Sequence, residues 1–453
     1  MRVLVISHAH PAFSIGGAEV ASHALFRGLG AMADTEAWYL ARAARPLGRH
    51  ETTPLASFRQ GARESFLHAD DYDHFWLSNR ALGDLNGAFA DYLRTVRPDV
   101  VHFHHVIGLG VEAIALARRV LPDAAIVLTF HEYLSICAHH GQMVKTRANR
   151  LCRRASPADC AACFPERTPA EFFRRERFLK DHFALVDGFV SPSRFLADRY
   201  GTWGIEPARF SVIENGLDTS SLARPRAQAK GARRARFGFF GQVTHFKGVH
   251  VLLDAITRIP ESVWGEDAQL NIFGGNLETQ PEAYQKALHA LLERAGRRAR
   301  LHGAYGSEDL PQLMAKIDWV VMPSVWWENA PVVIQEAFHH RRPLIVSDIG
   351  GMAEKVRDGV DGLYFRTGSA EDLADALVRA LGEKTLWQRL AAAAPAPLDI
   401  AGAARLHRDL YQRLLAARRG GQGVGNPDAQ DGGRHGDPPR PARERSRRLV
   451  HAA

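Results

Sequence analysis

The chain has 453 residues, of which 46% are hydrophobic and 24% are charged, and its formal net charge is +8. This composition excludes a fibrous or low-complexity protein and leaves room for two domains with full cores. The sequence contains no run of 18 apolar residues, so no membrane-spanning helix is expected.

The positive charge is concentrated in two segments. One lies at about 145–180, and the other is 420–453, which is rich in Gly, Pro and Arg and is predicted to be a disordered basic tail. Solvated charge is the default explanation for both, and peripheral contact with anionic lipid is the alternative. Nucleic acid is not favoured as a partner.

Strand-like and helix-like segments alternate along residues 1–215. Short apolar runs at 1–7, 99–105, 124–130 and 188–193 are typical of buried strands, and helical patterns follow three of them. The first run, MRVLVISH, has no cleavage site behind it, so we interpret it as a strand and expect a cytoplasmic protein. The alternation predicts a parallel sheet covered by helices.

The same pattern restarts after an Asn-Gly turn signal near 215–216. The sequence predicts an α/β protein of two doubly wound, Rossmann-like domains that face each other across a cleft. Residues 1–215 form the first domain, which includes a cysteine-containing insertion at about 135–170. Residues 216–398 form the second domain, and a helix at 399–419 is expected to return to the first.

Glycine pairs follow strands in both halves. Gly16 and Gly17, in SIGGAE at 14–19, precede the first helix, whose N-terminal amides attract anions. Gly274 and Gly275 follow a strand of the second half. A tight turn alone would explain each pair, and G-x-G-x-x-G is absent. Together, however, these loops predict a pocket for a phosphorylated, hydroxyl-rich ligand at the carboxyl ends of the strands.

Lys247 opens a helix in the second half of the chain. Its charge opposes the helix dipole there, which suggests a bound anion, and an ordinary surface lysine is the alternative. The sequence alone does not choose between the two.

Two acids, Glu328 and Glu336, lie eight residues apart in ENAPVVIQE. Because proline is tolerated in the first turn of a helix, we expect a helix to begin at Ala330 or Pro331, which leaves Glu328 in the loop and Glu336 inside the helix. Acids at such a junction accept hydrogen bonds from ligand hydroxyls. The alternative is that Glu328 complements the helix dipole and Glu336 is solvated.

These motifs resemble those of the retaining glycosyltransferases of family 4. The resemblance rests on SIGGAE, on the G-x5-K-G of GQVTHFKG at 241–248 and on the E-x7-E of 328–336. It implies a GT-B fold, a UDP- or GDP-sugar donor bound mostly by the second domain, and no cofactor for catalysis. It also implies that Glu336 holds the ribose, Glu328 the donor sugar, Lys247 the diphosphate, and Gly17 the diphosphate or sugar.

The chain departs from this family pattern at two places. Gln242 stands where the family usually has an arginine beside the diphosphate, so Lys247 is expected to be the main cation. Asn329, Ala330 and Pro331 replace the usual Gly-Phe-Gly after the first acid. The identity of the donor sugar therefore cannot be transferred from relatives with the usual loop.

The resemblance also implies a reaction on one face of the sugar, in which the leaving phosphate takes the acceptor proton. Catalysis then comes from positioning and from stabilisation of the leaving group. Glu328, Lys247 and His131 are the predicted catalytic residues. His131 matches a family histidine near the donor sugar, and a histidine satisfied within its own loop is the alternative.

The four cysteines, Cys137, Cys152, Cys160 and Cys163, all fall within the predicted insertion. Such clustering in a cytoplasmic protein predicts a structural zinc site, and free thiols or a disulfide are the alternatives. The insertion is also basic, and we hypothesise that it receives an anionic acceptor such as a lipid-diphosphate sugar.

The sequence as a whole predicts a glycosyltransferase that moves a sugar from a nucleotide-sugar donor to a glycan or lipid-linked acceptor, in surface polysaccharide biosynthesis. A nucleotide-sugar epimerase of the same fold is one alternative. A noncatalytic protein that binds nucleotide-sugar or nucleic acid, suggested by Gln242 and the basic tail, is the other.

Overall fold

Two parallel sheets, one from each half of the chain, organise the computed structural model. The structure describes residues 1–14, 16–44, 54–58, 63–79, 82–148, 150–227 and 232–420. The segment predicted to be a basic tail lies outside the described residues from position 421 onward. Within the described ranges, no helix combines the length and apolar character needed to cross a bilayer.

The first half of the chain contributes ten strands among the described residues. They are β1 (Arg2–Ser7), β2 (Glu36–Ala43), β3 (Leu55–Ser57), β4 (Glu64–His68), β5 (Tyr72–Asp73), β6 (Ser78–Asn79), β7 (Val100–Phe103), β8 (Ala125–Thr129), β9 (Gly188–Ser191) and β10 (Phe210–Val212). Eight of them form a sheet in the order β10-β9-β8-β7-β1-β2-β4-β3, and β5 pairs with β6. Only the β3–β4 pair of the sheet is antiparallel. Because the order reverses between β1 and β7, this is the switch point of the first sheet.

Six strands form the second sheet. They are β11 (Arg236–Phe240), β12 (Gln269–Phe273), β13 (Ala299–Gly303), β14 (Trp319–Met322), β15 (Leu344–Ser347) and β16 (Gly362–Phe365). Their order is β13-β12-β11-β14-β15-β16, and every neighbouring pair is parallel. This is the order of a doubly wound dinucleotide-binding sheet, with its switch point between β11 and β14.

Helices cover both faces of both sheets. In the first half they are α1 (Gly17–Gly30), α2 (Leu82–Val96), α3 (Glu112–Val120), α4 (Pro157–Cys163), α5 (Pro169–Phe183) and α6 (Arg194–Trp203). In the second half they are α7 (Val249–Arg258), α8 (Glu261–Trp264), α9 (Glu282–Ala295), α10 (Leu310–Ala315), α11 (Val332–His339), α12 (Gly350–Lys355), α13 (Ala370–Gly382), α14 (Leu386–Ala393) and α15 (Ile400–Gly420). The central strand β14 is buried at every position, which explains its unbroken apolar sequence. Strand β7 is equally buried, and its one polar residue, His102, is hydrogen-bonded to Tyr411 and Thr129.

The last helix, α15, packs on the first sheet rather than on the second. Its residues Leu410, Tyr411 and Leu414 are buried in one cluster with β1 and β2. The hydroxyl of Tyr411 lies 2.6 Å from Nδ1 of His102 on β7. A Cβ built on Gly28 of α1 would lie 2.9 Å from the Cβ of Ala404, so the two helices touch closely.

The predicted α/β class with two doubly wound domains is confirmed by this architecture. One predicted boundary is wrong: α11 begins at Val332, later than the expected Ala330 or Pro331. Pro331 is its N-cap with an extended ψ of 121°, so the proline precedes the helix instead of occupying its first turn. The apolar pattern also failed to predict β2 and β16. The latter is a four-residue edge strand that starts with glycine.

Candidate functional site

The candidate site lies at the carboxyl edge of the second sheet, where the strand order reverses. The loops after β11 and β14 leave this edge side by side, because the two strands are neighbours. The first of these loops carries Lys247 in a short 3-10 turn, and the second carries Glu328. Open α/β sheets bind ligands at such switch points. The topology therefore brings the two predicted residues together.

Gly248 allows these two loops to approach each other. Its φ of +71° lies in the left-handed region, and a Cβ built on it would lie 1.8 Å from the carbonyl oxygen of Pro323. A side chain there would push the loops apart. The glycine at 248 is thus required by packing, and it sets Lys247 against the loop of Glu328.

The Glu328 carboxylate is 5% exposed and accepts three hydrogen bonds at one oxygen. Oε1 accepts from Lys247 Nζ at 2.6 Å, from Ser324 Oγ at 2.7 Å and from Trp326 Nε1 at 3.0 Å. Burial alone would raise the pKa of Glu328, but Lys247 and the two other donors hold it below its ordinary value. Glu328 is therefore ionised at neutral pH, and Oε2 remains able to accept from a ligand hydroxyl.

Glu336, the second acid, has the opposite environment. It is half-buried in α11, and its carboxyl has no hydrogen-bond or ion-pair partner among the described residues. Burial raises its pKa to about 7. The alternative that Glu336 is a solvated surface acid is therefore wrong, because its carboxyl is largely buried. A half-buried acid with no protein partner and a pKa near neutrality is the arrangement expected of a ligand-binding group.

Asn329 connects the two halves of the chain. Its Nδ2 donates to the carbonyl oxygen of His131 at 3.0 Å, and its Oδ1 accepts from Ser193 Oγ at 2.5 Å. Its own carbonyl oxygen would lie 1.5 Å from a Cβ on Gly351. Both polar groups of the Asn329 side chain are thus hydrogen-bonded to the first domain. Ala330, the next residue, is half-buried in the same loop.

A carboxylate of the second domain also holds the start of a helix in the first. The Glu354 oxygens accept from the backbone N–H groups of Arg194 and Phe195, at 2.9 and 2.7 Å. These amides belong to the first turn of α6, where a negative charge is favourable. With Asn329, this contact fixes the two domains close together beside Glu328.

His131 lies across the cleft, after β8, and its ring faces another histidine. Its Nε2 is 3.0 Å from Nδ1 of His104, which follows β7. Burial, followed by the charges of nearby histidines, lowers the pKa of His131 to about 3. Both rings are therefore neutral at pH 7, and one nitrogen donates to the other. His131 is therefore not an imidazolium acid at neutral pH.

Gly16 and Gly17 lie at the N-terminus of α1, at the carboxyl edge of the first sheet. A Cβ on Gly16 would meet the Glu19 carboxylate, whereas a Cβ on Gly17 would meet no atom within 4 Å. Packing therefore does not require glycine at position 17. Burial opposes ionisation of Glu19, but hydrogen bonds with His8 and Ser14 hold its pKa at about 2. The Glu19 carboxylate is therefore negatively charged at neutral pH and would repel an anionic ligand at this helix N-terminus.

The remaining predicted residues of the second domain lie after β11 and β12. Gln242 is exposed in the loop after β11. A Cβ on Gly274 would lie 1.8 Å from the carbonyl oxygen of Gly241, and one on Gly275 would lie 3.2 Å from Ala304 Cβ. Close backbone packing thus explains Gly274 and does not need a ligand. All three residues still lie at the same sheet edge as Lys247.

The four cysteines come together in the insertion. Cys137, Cys152, Cys160 and Cys163 all line one small cavity, and all are free thiols. Among the described residues, the four sulfur atoms do not form one of the closely spaced groups of ligand-type atoms. The arrangement thus matches the predicted clustering of the thiols.

A second group of ligand-type side chains, which the sequence did not predict, consists of His10, His23 and Glu64. Nε2 of each histidine lies 3.1 Å from the same Glu64 oxygen. However, Nδ1 of His10 accepts from the backbone N–H of Ala12 at 3.1 Å, so the proton of the neutral ring is on Nε2. His10 therefore donates to Glu64 and offers no lone pair to a metal at that nitrogen.

Sequence reasoning also missed Ser324, Trp326, Ser193 and Glu354. Ser324 and Trp326 are within four residues of Glu328, so their closeness in sequence was a usable signal. Ser193 and Glu354 act between domains, and no local pattern indicates such a pairing.

Two protein families match this chain, one in each half. The family described as Glycosyltransferase Family 4 matches residues 15–221, and the one described as Glycosyl transferases group 1 matches residues 234–383. A D-inositol 3-phosphate glycosyltransferase of Nocardioides sp. is 26% identical over 397 residues, covering 81% of this chain and 79% of that protein. A glycogen synthase of Mycobacterium tuberculosis is 28% identical over 306 residues, covering 66% of this chain and 64% of that protein.

Solved structures show the same fold. Sucrose-phosphate synthase from Thermosynechococcus elongatus has a TM-score of 0.67 at 18% identity, covering 92% of this chain and 99% of that one. Anabaena Alr3699/HepE, solved in complex with UDP and glucose, has a TM-score of 0.61 at 17% identity and covers 91% and 99%. Two facing Rossmann-like domains and both family matches lead to one conclusion: the chain belongs to glycosyltransferase family 4, has the GT-B fold and is a glycosyltransferase.

Proposed function

We propose that this glycosyltransferase uses a UDP- or GDP-sugar as donor and transfers the sugar with retention to a glycan or lipid-linked acceptor, in surface polysaccharide assembly. The donor assignment rests on two acids in opposite environments, one ion-paired and the other without a partner. Glu328 is ion-paired with Lys247 at the switch point, and Glu336 is half-buried without a partner among the described residues. A ligand that offers both hydroxyl groups and a diphosphate would satisfy all three side chains.

The three side chains would divide the donor between them. Glu336 would accept from the ribose hydroxyls, and Oε2 of Glu328 would accept from a hydroxyl of the sugar. Lys247 donates one of its three N–H groups to Glu328, so two remain for the diphosphate. The Anabaena protein was solved in complex with UDP and glucose, which supports a ligand of this kind for a chain with the same fold.

Catalysis by this arrangement needs no protein base. The bond between the anomeric carbon and the diphosphate oxygen would break, with its electrons going to the diphosphate. The acceptor oxygen would bond to the same face of that carbon, and its proton would pass to a phosphate oxygen. Lys247 would stabilise the charge that develops on the leaving diphosphate, and the neutral His131 would help to position the sugar.

The proposal is tested by ligand-observed NMR of the purified protein with UDP- and GDP-sugars. We expect saturation transfer from the protein to one nucleotide-sugar, together with slow release of free sugar, whose anomeric signal shows retention. If no nucleotide-sugar bound, the donor assignment would be wrong. If the released sugar first appeared with inverted configuration, the retaining mechanism would be wrong.

Gly17→Ala is expected to impair transfer without impairing folding. The added methyl group meets no protein atom, so it should occupy only space that a ligand would use. We expect a loss of kcat/KM of about 10- to 100-fold, because a small displacement of the reacting groups is costly. Tm should not fall, since alanine is the better helix residue. Gly382→Ala, at another open helical position, is the matched control and should change neither quantity.

Asn329→Ala is expected to loosen the two domains. The substitution removes the hydrogen bonds to Ser193 and to the His131 carbonyl, each of which contributes about 1 kcal/mol. KM for the donor should rise about 5- to 30-fold by this estimate, and small-angle X-ray scattering should show a larger radius of gyration. Gln280→Ala, a surface amide with local contacts, serves as control. An unchanged radius of gyration would contradict a role in holding the domains.

A further inference from the structure

The cavity lined by the four cysteines, here called the thiol cavity, is formed by three separate chain segments. Cys137 lies in the loop after β8, Cys152 follows a short antiparallel bridge between Val144 and Leu151, and Cys160 and Cys163 lie on α4. The chain has only these four cysteines. Three separate segments thus bring all four cysteines of a 453-residue chain to one cavity. This clustering indicates that the thiols act together.

The local backbone places the four thiols on the wall of one cavity. Cys160 and Cys163 are spaced i and i+3, so both sulfurs lie on one face of α4. The backbone N–H groups of His139 and Met143 donate to the Cys137 sulfur, which fixes that sulfur beside the segment of Met143. Met143 also accepts from the backbone N–H of Cys152 at 2.6 Å, which joins the first two segments.

All four thiols line the same cavity, where one ion would be shared between them. The Cys160 thiol is within electrostatic range of each of the other three thiols. Each sulfur sits on one rotatable bond, so a change of χ1 aims it into the cavity without movement of the backbone. Four sulfurs turned toward one point would supply the tetrahedral thiolate set that Zn²⁺ prefers.

The charge around the thiol cavity suits four thiolates. A Zn²⁺ ion with four thiolates carries a net charge of about −2. Lys145 lines the cavity, where its ammonium is paired with the Asp159 carboxylate at 3.1 Å and lies within electrostatic range of Cys152 and Cys163. Arg153 and Arg154 follow Cys152 directly and are exposed. The basic character of this insertion therefore has an explanation besides an anionic acceptor.

The thiol cavity is connected to the donor side of the cleft through Trp327. Its Nε1 donates to the carbonyl oxygen of Cys152 at 3.2 Å. The ring packs against Phe195, at 5.4 Å between centroids, and under the Arg199 guanidinium, at 4.4 Å. Arg199 in turn donates to the Arg153 carbonyl at 2.7 Å. Trp327 directly precedes Glu328, so the position of Cys152 bears on the loop that carries that acid.

We propose that the four thiols bind one structural Zn²⁺ ion, and that this ion fixes the backbone of Cys152 so that it holds Trp327 and raises affinity for the donor. The first part stands on the thiol cavity alone. The second part rests on the proposed function, because it concerns the donor.

The zinc site is tested by the metal content of the full-length chain purified under reducing conditions. We expect one zinc per chain by mass spectrometry of the metal, thiols that react with a thiol reagent only after a strong chelator, and thiolate-to-metal charge-transfer absorption on replacement with Co²⁺. Cys160→Ser/Cys163→Ser should lose the metal, whereas Ala162→Ser, which adds a hydroxyl between them on α4, should keep it. Failure to take up stoichiometric zinc, or a mass that shows disulfides, would overturn the site.

The link to the donor is tested separately with Trp327→Phe, which keeps an aromatic ring of smaller size at this position and removes the N–H donor. This variant should retain one zinc per chain. Removal of zinc from the unmodified chain should raise the donor Kd about fivefold, the equivalent of one hydrogen bond, and Trp327→Phe should show this raised Kd with or without zinc. Equal donor Kd in the zinc-loaded and zinc-free chains would overturn the link and leave the metal site standing. Absence of donor binding by the zinc-loaded chain would instead overturn the proposed function.

Discussion

Lys247→Met should lower kcat/KM for sugar transfer by about 10²- to 10³-fold, the cost of losing one charged group that stabilises a leaving group. The substitution keeps a similar length and removes the only cation paired with Glu328 among the described residues. It should also reduce stability by about 3–5 kcal/mol, because it leaves a buried carboxylate without a counter-charge. Steady-state kinetics and thermal unfolding measure the two effects.

A double variant separates the catalytic loss from the loss of stability. Lys247→Met/Glu328→Gln removes both charges, so most of the stability should return while transfer remains lost. Lys286→Met, at an exposed lysine of α9 paired with Glu282, is the matched control and should leave both quantities unchanged. Recovery of transfer in the double variant would show that Lys247 acts only by neutralising Glu328.

Glu336→Gln should abolish the pH dependence of donor binding. In the unmodified chain the pKa of Glu336 is raised to about 7, and ribose hydroxyls donate best to its ionised form. Donor affinity should therefore rise with pH, by about tenfold between pH 6 and pH 8, and level off above that. In Glu336→Gln, affinity should be about 10-fold or more below the high-pH value and flat with pH. Isothermal titration calorimetry at several pH values checks this.

The same group should change the stability of the ligand-free protein in the opposite direction. Because the folded pKa lies above the ordinary value of 4.5, the folded chain binds more protons than the unfolded chain between these values. The contribution of Glu336 to stability is therefore fully present below about pH 4.5 and is lost as pH rises through about 7. Glu336→Gln should remove this part of the pH profile, and the exposed control Glu282→Gln should keep it.

Much of the fold followed from the sequence, because buried parallel strands have continuous apolar runs. The same property placed Lys247 and Glu328 at one edge, since both residues lie in the loops that follow such runs. The ionisation state and the partners of each acid did not follow from the sequence. Ser324 and Trp326 are close to Glu328 in sequence, but nothing in ENAPVVIQE indicates that Lys247 reaches the same oxygen from another loop. Nor does it indicate that Glu336 has no partner among the described residues, because such contacts depend on how separate segments pack.

The role of Asn329 shows a second limit. Its sequence neighbours predicted a donor-binding loop, but its side chain is bonded to Ser193 and to the His131 carbonyl of the other domain. Contacts across a cleft depend on how two domains meet, and local patterns carry no information on that. The late start of α11 has a simpler cause: a proline that is allowed in a first turn can equally lie one position before it.

The return of α15 to the first sheet has a consequence for synthesis of the protein on the ribosome. Leu410, Tyr411 and Leu414 complete a core that begins with Val3 and Val5, about four hundred positions earlier in the chain. Domains generally fold as units in the order in which they emerge. Here the second domain has all its strands before the first has its last helix. The first domain would therefore wait, with part of one face of its sheet covered by α1 alone, until the residues of α15 have emerged. That interval is when the nascent protein is most exposed to aggregation.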